Sequence, residues 1–232
     1  MDRKPPLRRK SYIKCDYVKC SCRPENDDST FMSFDEKRKI FWYEIPRNAS
    51  TTVKNILKDG LCEYREKDCD PNFGQLWAKN KSLNQFAIIR NPFDRVLSAY
   101  SIYKNNVTWD RCESIFGIPH RSESHSPNSN TLTLENFISL LGTRNDHHFQ
   151  PQTIFLPDDL SDITLIELSN FDNEWTQFFD EIGECVPKLR TFGTYVGKNP
   201  PDIFRQNDIT KIILDFYKDD FDRLGFSTIP LC

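Results

Sequence analysis

Apolar and polar positions along this chain fall into short blocks whose period switches between two and three-to-four. Ile40-Phe41-Trp42-Tyr43-Glu44-Ile45 is rich in β-branched and aromatic residues and stops at Pro46, which predicts a strand opening into a loop. From Thr51 to Leu57 the apolar residues Val53, Ile56 and Leu57 share a helical face, and Gly60 ends it. The unit then repeats. Phe86-Ala87-Ile88-Ile89 predicts a buried strand, and Asn91-Pro92 starts a helix running towards Tyr103. Further on, Leu134 to Leu141 reads as a short helix, while Ile154-Phe155-Leu156 and Ile163-Thr164-Leu165-Ile166 read as strands. An amphipathic helix follows from about Asp172 to Ile182. A last helix from about Asp208 to Leu224 carries an apolar stripe of Ile209, Ile212, Ile213, Phe216 and Tyr217.

Such alternation predicts an α/β fold of three layers, a central parallel sheet flanked by helices, with loops at the carboxyl ends of the strands open to a ligand. Residues 1–36 are polar, proline-bearing and aperiodic, and read as an arm preceding a single domain over 37–232. Residues 107–132 hold Trp109 and the run SESHSPNSNT, the composition of a long loop or lid.

The 232 residues suit one such domain, and 31 basic against 34 acidic residues leave a net charge of −3. That balance argues against a nucleic-acid-coating protein. No run approaches a membrane span, and MDRKPPLRRKSYIK lacks the apolar stretch of a signal peptide, so a soluble chain is expected. The eight cysteines (15, 20, 22, 62, 69, 112, 185 and 232) and the sequon Asn106-Val107-Thr108 point to an oxidising lumen. Buried or stray thiols and a chance sequon are the competing reading, favoured by the missing targeting segment. Cys15, Cys20 and Cys22 lack a second pair at zinc-site spacing, so no metal is expected.

Two segments carry candidate chemistry. In Ile45-Pro46-Arg47-Asn48-Ala49-Ser50-Thr51-Thr52 a strand meets a helix N-terminus, whose unpaired N–H groups and dipole favour an anion. The hydroxyls add donors, and Arg47 adds a charged planar fork. The alternative is plain capping by Ser50 or Thr51, with Arg47 in solvent. The glycines and lysine of a Walker A loop are missing, which makes an ordinary ATPase or GTPase a poor fit. In the second segment, Ile88 to Tyr100, Arg90 stands at a strand end and Ser98 lies roughly two turns into the next helix. These two side chains are suited to grip a phosphate from two directions; the alternative pairs Arg90 with Asp94 and leaves Ser98 on a packing face. Taken together, the segments describe a pocket for a ligand with separated anionic groups.

At these residues the chain resembles the sulfotransferases that use 3'-phosphoadenosine 5'-phosphosulfate, specifically the Golgi-associated carbohydrate branch. Their motif Pro-Lys-x-Ala-Ser-Thr-Ser, which surrounds the 5'-phosphosulfate, is similar to Pro46 to Thr52, with Arg47 in the lysine position. Their motif Ile-Arg-Asp-Pro-Phe-x-Arg-Leu-x-Ser-x-Tyr, which binds the 3'-phosphate, is similar to Ile89 to Tyr100, with Asn91 in the aspartate position. Asp146 to Gln152 resembles Asp-x-His-Trp-x-Pro-Gln, with Phe149 for tryptophan, and Phe216 to Phe226 resembles the terminal helix signature. The likeness runs in order from about residue 39 to 227.

The resemblance implies a P-loop-like fold and transfer of a sulfuryl group from 3'-phosphoadenosine 5'-phosphosulfate, a co-substrate, to a hydroxyl of a glycan or other acceptor, without a metal. It assigns Arg47, Asn48, Ala49, Ser50, Thr51 and Thr52 to the phosphosulfate and Arg90 and Ser98 to the 3'-phosphate. More loosely, it assigns Lys198, in Tyr195 to Pro200, to the nucleotide. It also implies a Golgi or secretory compartment with glycosylation and disulfides, whereas the chain as written, if complete, implies the cytoplasm. In-line attack on sulfur needs alignment, a base and cations near the leaving oxygen. Arg47 suits the cationic role, helped by the backbone donors of residues 48–52. His148 is the preferred base and His147 its rival, with Glu44 and Glu167 as bases or supporting groups. His120 and His125 read as solvated lid residues. Lys79, Lys81, Arg95, Lys104, Arg111 and Arg121 either line a groove for an acidic sugar chain or are ordinary surface. Two other readings stand beside this one: a catalytically weakened nucleotide- or glycan-binding protein, and a P-loop kinase.

Overall fold

The computed structural model describes residues 31–57, 60–63, 70–105, 133–142, 147–187 and 202–229. Five strands form one sheet: β1 (Met32–Asp35), β2 (Ile40–Tyr43), β3 (Cys62–Glu63), β4 (Asn84–Ile89) and β5 (Ile163–Glu167), in the order β3-β1-β2-β4-β5. β2, β4 and β5 are parallel, as the alternation of elements predicts. β1 and β3 extend them as an antiparallel margin. Residues 32–35 therefore belong to the sheet, not to a polar arm. The described helices are α1 (Ser50–Leu57), α2 (Pro71–Asn80), α3 (Pro92–Asn105), α4 (Leu134–Ser139), α5 (Phe171–Glu181), α6 (Asn207–Phe216) and α7 (Lys218–Leu224). None is long and apolar enough to cross a membrane.

Strand alternation sorts the core onto two faces. Ile40, Trp42, Phe86, Ile88 and Ile166 face α1 and α5, where Val53, Leu57, Trp175, Phe178 and Phe179 are buried against them. Phe41, Tyr43, Ala87 and Ile89 face the other way, towards Ala78 of α2 and the segment Phe155-Leu156. A separate helical cluster joins α3, α4, α6 and α7 through Phe93, Val96, Phe137, Ile209, Ile213, Tyr217 and Phe221.

Two expected elements differ. Ile154-Phe155-Leu156 is not a strand: Gln152–Phe155 form a 3₁₀ turn, because the amides of Gln152 and Thr153 are drawn to the Asp220 carboxylate (2.9 and 3.0 Å). The terminal helix is broken at Tyr217 (φ −101°, ψ 24°), whose hydroxyl donates to the Phe149 carbonyl at 2.6 Å. That break separates α6 from α7 and lets Asp220, in the first turn of α7, reach the sheet side.

Candidate functional site

The parallel register brings the ends of β2, β4 and β5 to one edge of the sheet, and Arg47, Arg90 and Glu167 stand there. Between β2 and α1 the chain turns through Arg47 (φ 71°) and Ala49 (φ 62°), both in the left-handed region that L-residues avoid. Buried Asn48 between them donates through Nδ2 to the Ile88 carbonyl (2.8 Å) and to Gln152 Oε1 (2.6 Å). Its Nδ2 thus tethers the loop to β4 and to Gln152. Ala49 accepts the first bond of α1 from Val53 N at 3.0 Å. Ser50 does not cap the helix: its hydroxyl turns back to donate to the Ile45 carbonyl at 3.2 Å. Thr51 is exposed and Thr52 half-buried at the opening of α1, whose first turn holds no acidic residue to compete for its amides.

Arg47 does not stand in free solvent. Its Nε and Nη2 donate to Ser98 Oγ at 3.2 and 2.8 Å, so the two sequence-predicted anion elements meet. Burial lowers the pKa of its guanidinium, and Arg95 lowers it further. Arg90 Nη1 lies 3.5 Å from the Arg47 carbonyl. Burial pushes the Arg90 guanidinium down to about 10; Asp94 opposes this, while Arg47 and Arg95 add repulsion. Asp94 in turn is held above the usual carboxylate range, chiefly by burial. Asn91, in the motif's aspartate position, caps α3 by accepting from Phe93 N at 3.0 Å.

Arg95 requires a correction. It lines no surface groove; it is fully buried and donates to carbonyls of Pro46 (3.2 Å), Gln150 and His147 (3.4 Å). It thereby joins the first anion loop to the histidine segment. Lys79 and Lys81 lie at the end of α2, before the amino-terminal end of β4 and thus opposite the site. Lys79 pairs with Asp162 at 2.6 Å, and Lys81 covers the Trp77 ring. His148 Nδ1 is 3.4 Å from the hydroxyl of Tyr103, which itself lies in the electrostatic reach of Arg47. The His147 ring packs instead between Phe31 (centroids 5.4 Å apart) and His148 (4.0 Å). Glu44 pairs with Lys54 of α1 at 2.8 Å, and Glu167 accepts from the Ser169 hydroxyl at 2.5 Å.

Lys198, the sequon, the 107–132 stretch with His120, His125, Arg111 and Arg121, and six of the cysteines lie outside the described residues, as does the Lys104 side chain. Cys62 and Cys185, among the described residues, carry exposed free thiols. Sequence reasoning gave no role to Gln152, Asp220 or Tyr103. Gln152 and Asp220 stood inside quoted motifs, but only the fold shows what they touch.

A mostly parallel α/β sheet whose strand-end loops carry Arg47, Arg90 and a helix N-terminus has the P-loop-like fold. The chain matches the Sulfotransferase family over residues 30–227 and belongs to it. That membership assigns sulfuryl transfer to a hydroxyl-bearing acceptor as its general chemistry. No individual curated protein and no solved structure matches the chain significantly.

Proposed function

We propose that the chain transfers the sulfuryl group of 3'-phosphoadenosine 5'-phosphosulfate to a hydroxyl of a carbohydrate. The observation that carries this reading is the Arg47–Ser98 contact, which joins two cationic loops into one site suited to a ligand with two separated anionic groups. Arg47 and the amides opening α1 hold the phosphosulfate, while Arg90 and Ser98 hold the 3'-phosphate. The acceptor oxygen attacks sulfur as the bond from sulfur to the bridging phosphate oxygen breaks. Charge then develops on that oxygen, and Arg47 stabilises it as a fixed cation, since a guanidinium does not donate its proton. His148 takes the acceptor proton: with Nδ1–H donating to the Tyr103 oxygen, Nε2 carries the lone pair. Adenosine 3',5'-bisphosphate and the sulfate ester are the products.

Calorimetry with adenosine 3',5'-bisphosphate, ADP and adenosine 5'-monophosphate tests the nucleotide assignment. Preference for the bisphosphate is expected, and its absence refutes the assignment. Incubating a labelled sulfate donor with a panel of glycans tests the rest. Binding without transfer to any acceptor would make the protein a nucleotide-binding module.

A further inference from the structure

Gln152 is fully buried and belongs to neither anion loop, yet its carboxamide bonds to both. Oε1 accepts from Asn48 Nδ2 (2.6 Å) and from the Arg90 amide (2.9 Å). Nε2 donates to the Arg90 carbonyl (2.8 Å) and to Asp220 Oδ2 (3.2 Å). All four hydrogen-bonding positions of the amide are therefore used. Asp220, itself fully buried, also accepts from the Gln152 and Thr153 amides, which fixes the glutamine from behind. Asn48 is the residue between the two left-handed positions Arg47 and Ala49, so the Gln152 bond holds the first loop at its strained centre. Gln152 holds Arg90 by its main-chain amide and carbonyl, while the Arg90 guanidinium reaches across to the Arg47 carbonyl at 3.5 Å.

We infer that Gln152, held by Asp220, is a positioning residue that sets the separation of the two anion-binding loops and so selects ligands whose two anionic groups match that separation. This rests on the bisphosphate reading above. A buried amide with four partners has no spare group for the ligand. Its effect is geometric: a ligand with one anionic group engages one loop and does not sense the spacing, whereas one with two anionic groups must fit both.

The test compares adenosine 3',5'-bisphosphate with adenosine 5'-monophosphate on the full chain by calorimetry, with thermal unfolding as a control. Gln152→Ala should weaken the bisphosphate ~10-fold or more while changing the monophosphate less than ~3-fold. Gln152→Glu keeps the side chain's size and covers the case in which the alanine variant does not fold. Its carboxylate accepts from Asn48 and the Arg90 amide, but it faces the Arg90 carbonyl and Asp220 without a proton to give. Burial and Asp220 raise the pKa of this introduced carboxyl, while Arg95 and Arg90 nearby oppose the rise. Lowering the pH should protonate it, restore the donor and return its bisphosphate affinity, relative to wild type at the same pH, towards one. Simple loss of stability does not produce that pH profile. A wild type without bisphosphate preference overturns the reading and this inference together. Wild-type preference, with both variants losing the two ligands in equal proportion or with a flat pH ratio, overturns this inference alone.

Discussion

Replacing Arg90 by alanine probes the second anion site with little structural disturbance. Its amide and carbonyl are both held by Gln152, at 2.9 and 2.8 Å, so truncating the side chain leaves the end of β4 anchored. The guanidinium stands at a cost, desolvated and repelled by Arg47 and Arg95, and Asp94 only partly offsets this. Removing it should therefore leave the melting temperature unchanged or slightly raised. For an anionic ligand the sign reverses. One hydrogen bond to a charged partner is worth about 1.5–3 kcal/mol net, or about 10- to 150-fold in affinity. We expect Arg90→Ala to weaken adenosine 3',5'-bisphosphate by that factor in calorimetry and adenosine 5'-monophosphate far less. Arg90→Lys should fall between, since a point charge replaces the planar fork. Bisphosphate affinity within ~2-fold of wild type in Arg90→Ala would refute a phosphate role for this arginine.

Three further outcomes follow from the same geometry. His148→Ala should keep bisphosphate affinity and lower turnover by ~10²-fold or more, with His147→Ala changing it only a few-fold; the reverse pattern in steady-state kinetics moves the base to His147. Asp94→Asn removes a negative charge beside Arg90 and should tighten bisphosphate binding by ~2- to 10-fold at neutral pH. That advantage should vanish as the pH falls through the raised pKa of Asp94, because the wild-type carboxylate is then neutral too; a pH-independent ratio contradicts the assignment. Ala49→Gly relieves a left-handed strain of about 1–2 kcal/mol and improves the start of α1, against about 0.4–1 kcal/mol of added chain entropy. Thermal unfolding should show no loss of stability, and a clear drop means that the Ala49 methyl packs more tightly than its half-buried position suggests.

What was legible in the sequence is what local pattern encodes. β2 and β4 carry apolar runs because both their faces are covered, and each runs straight into its cationic loop. Local pattern is silent where a neighbour in space sets the rule. α2 shows Phe73 and Leu76 to solvent and buries Gly74 and Ala78, the inverse of an amphipathic helix. A side chain at Gly74 would place its Cβ 2.5 Å from Met32 Sδ and 3.2 Å from the Phe41 ring, so close approach to the sheet selects glycine there. β1 escaped notice because buried Ser33 and Asp35 break its apolar run; Asp35 is kept inside by the amides of Lys37 and Arg38 (2.9 and 3.1 Å).

The two loops and the pocket they share were legible, but the buried side chains that join them were not, and the reason is sequence separation. Gln152 bonds partners 104, 62 and 68 residues away, in the first loop, the second loop and the last helix. Arg95 similarly ties Pro46 to residues 147 and 150. Polar residues in these positions read as surface, since nothing within a helical or strand period marks them as buried. Once buried, each has its donors and acceptors largely matched, and an unmatched group there costs about 1–3 kcal/mol. The break at Tyr217 belongs to the same arrangement: an unbroken helix satisfies its own backbone, but only the broken one delivers Asp220 to the amides of Gln152 and Thr153. The helix gives up regularity at its middle, and the two anion loops gain a fixed spacing.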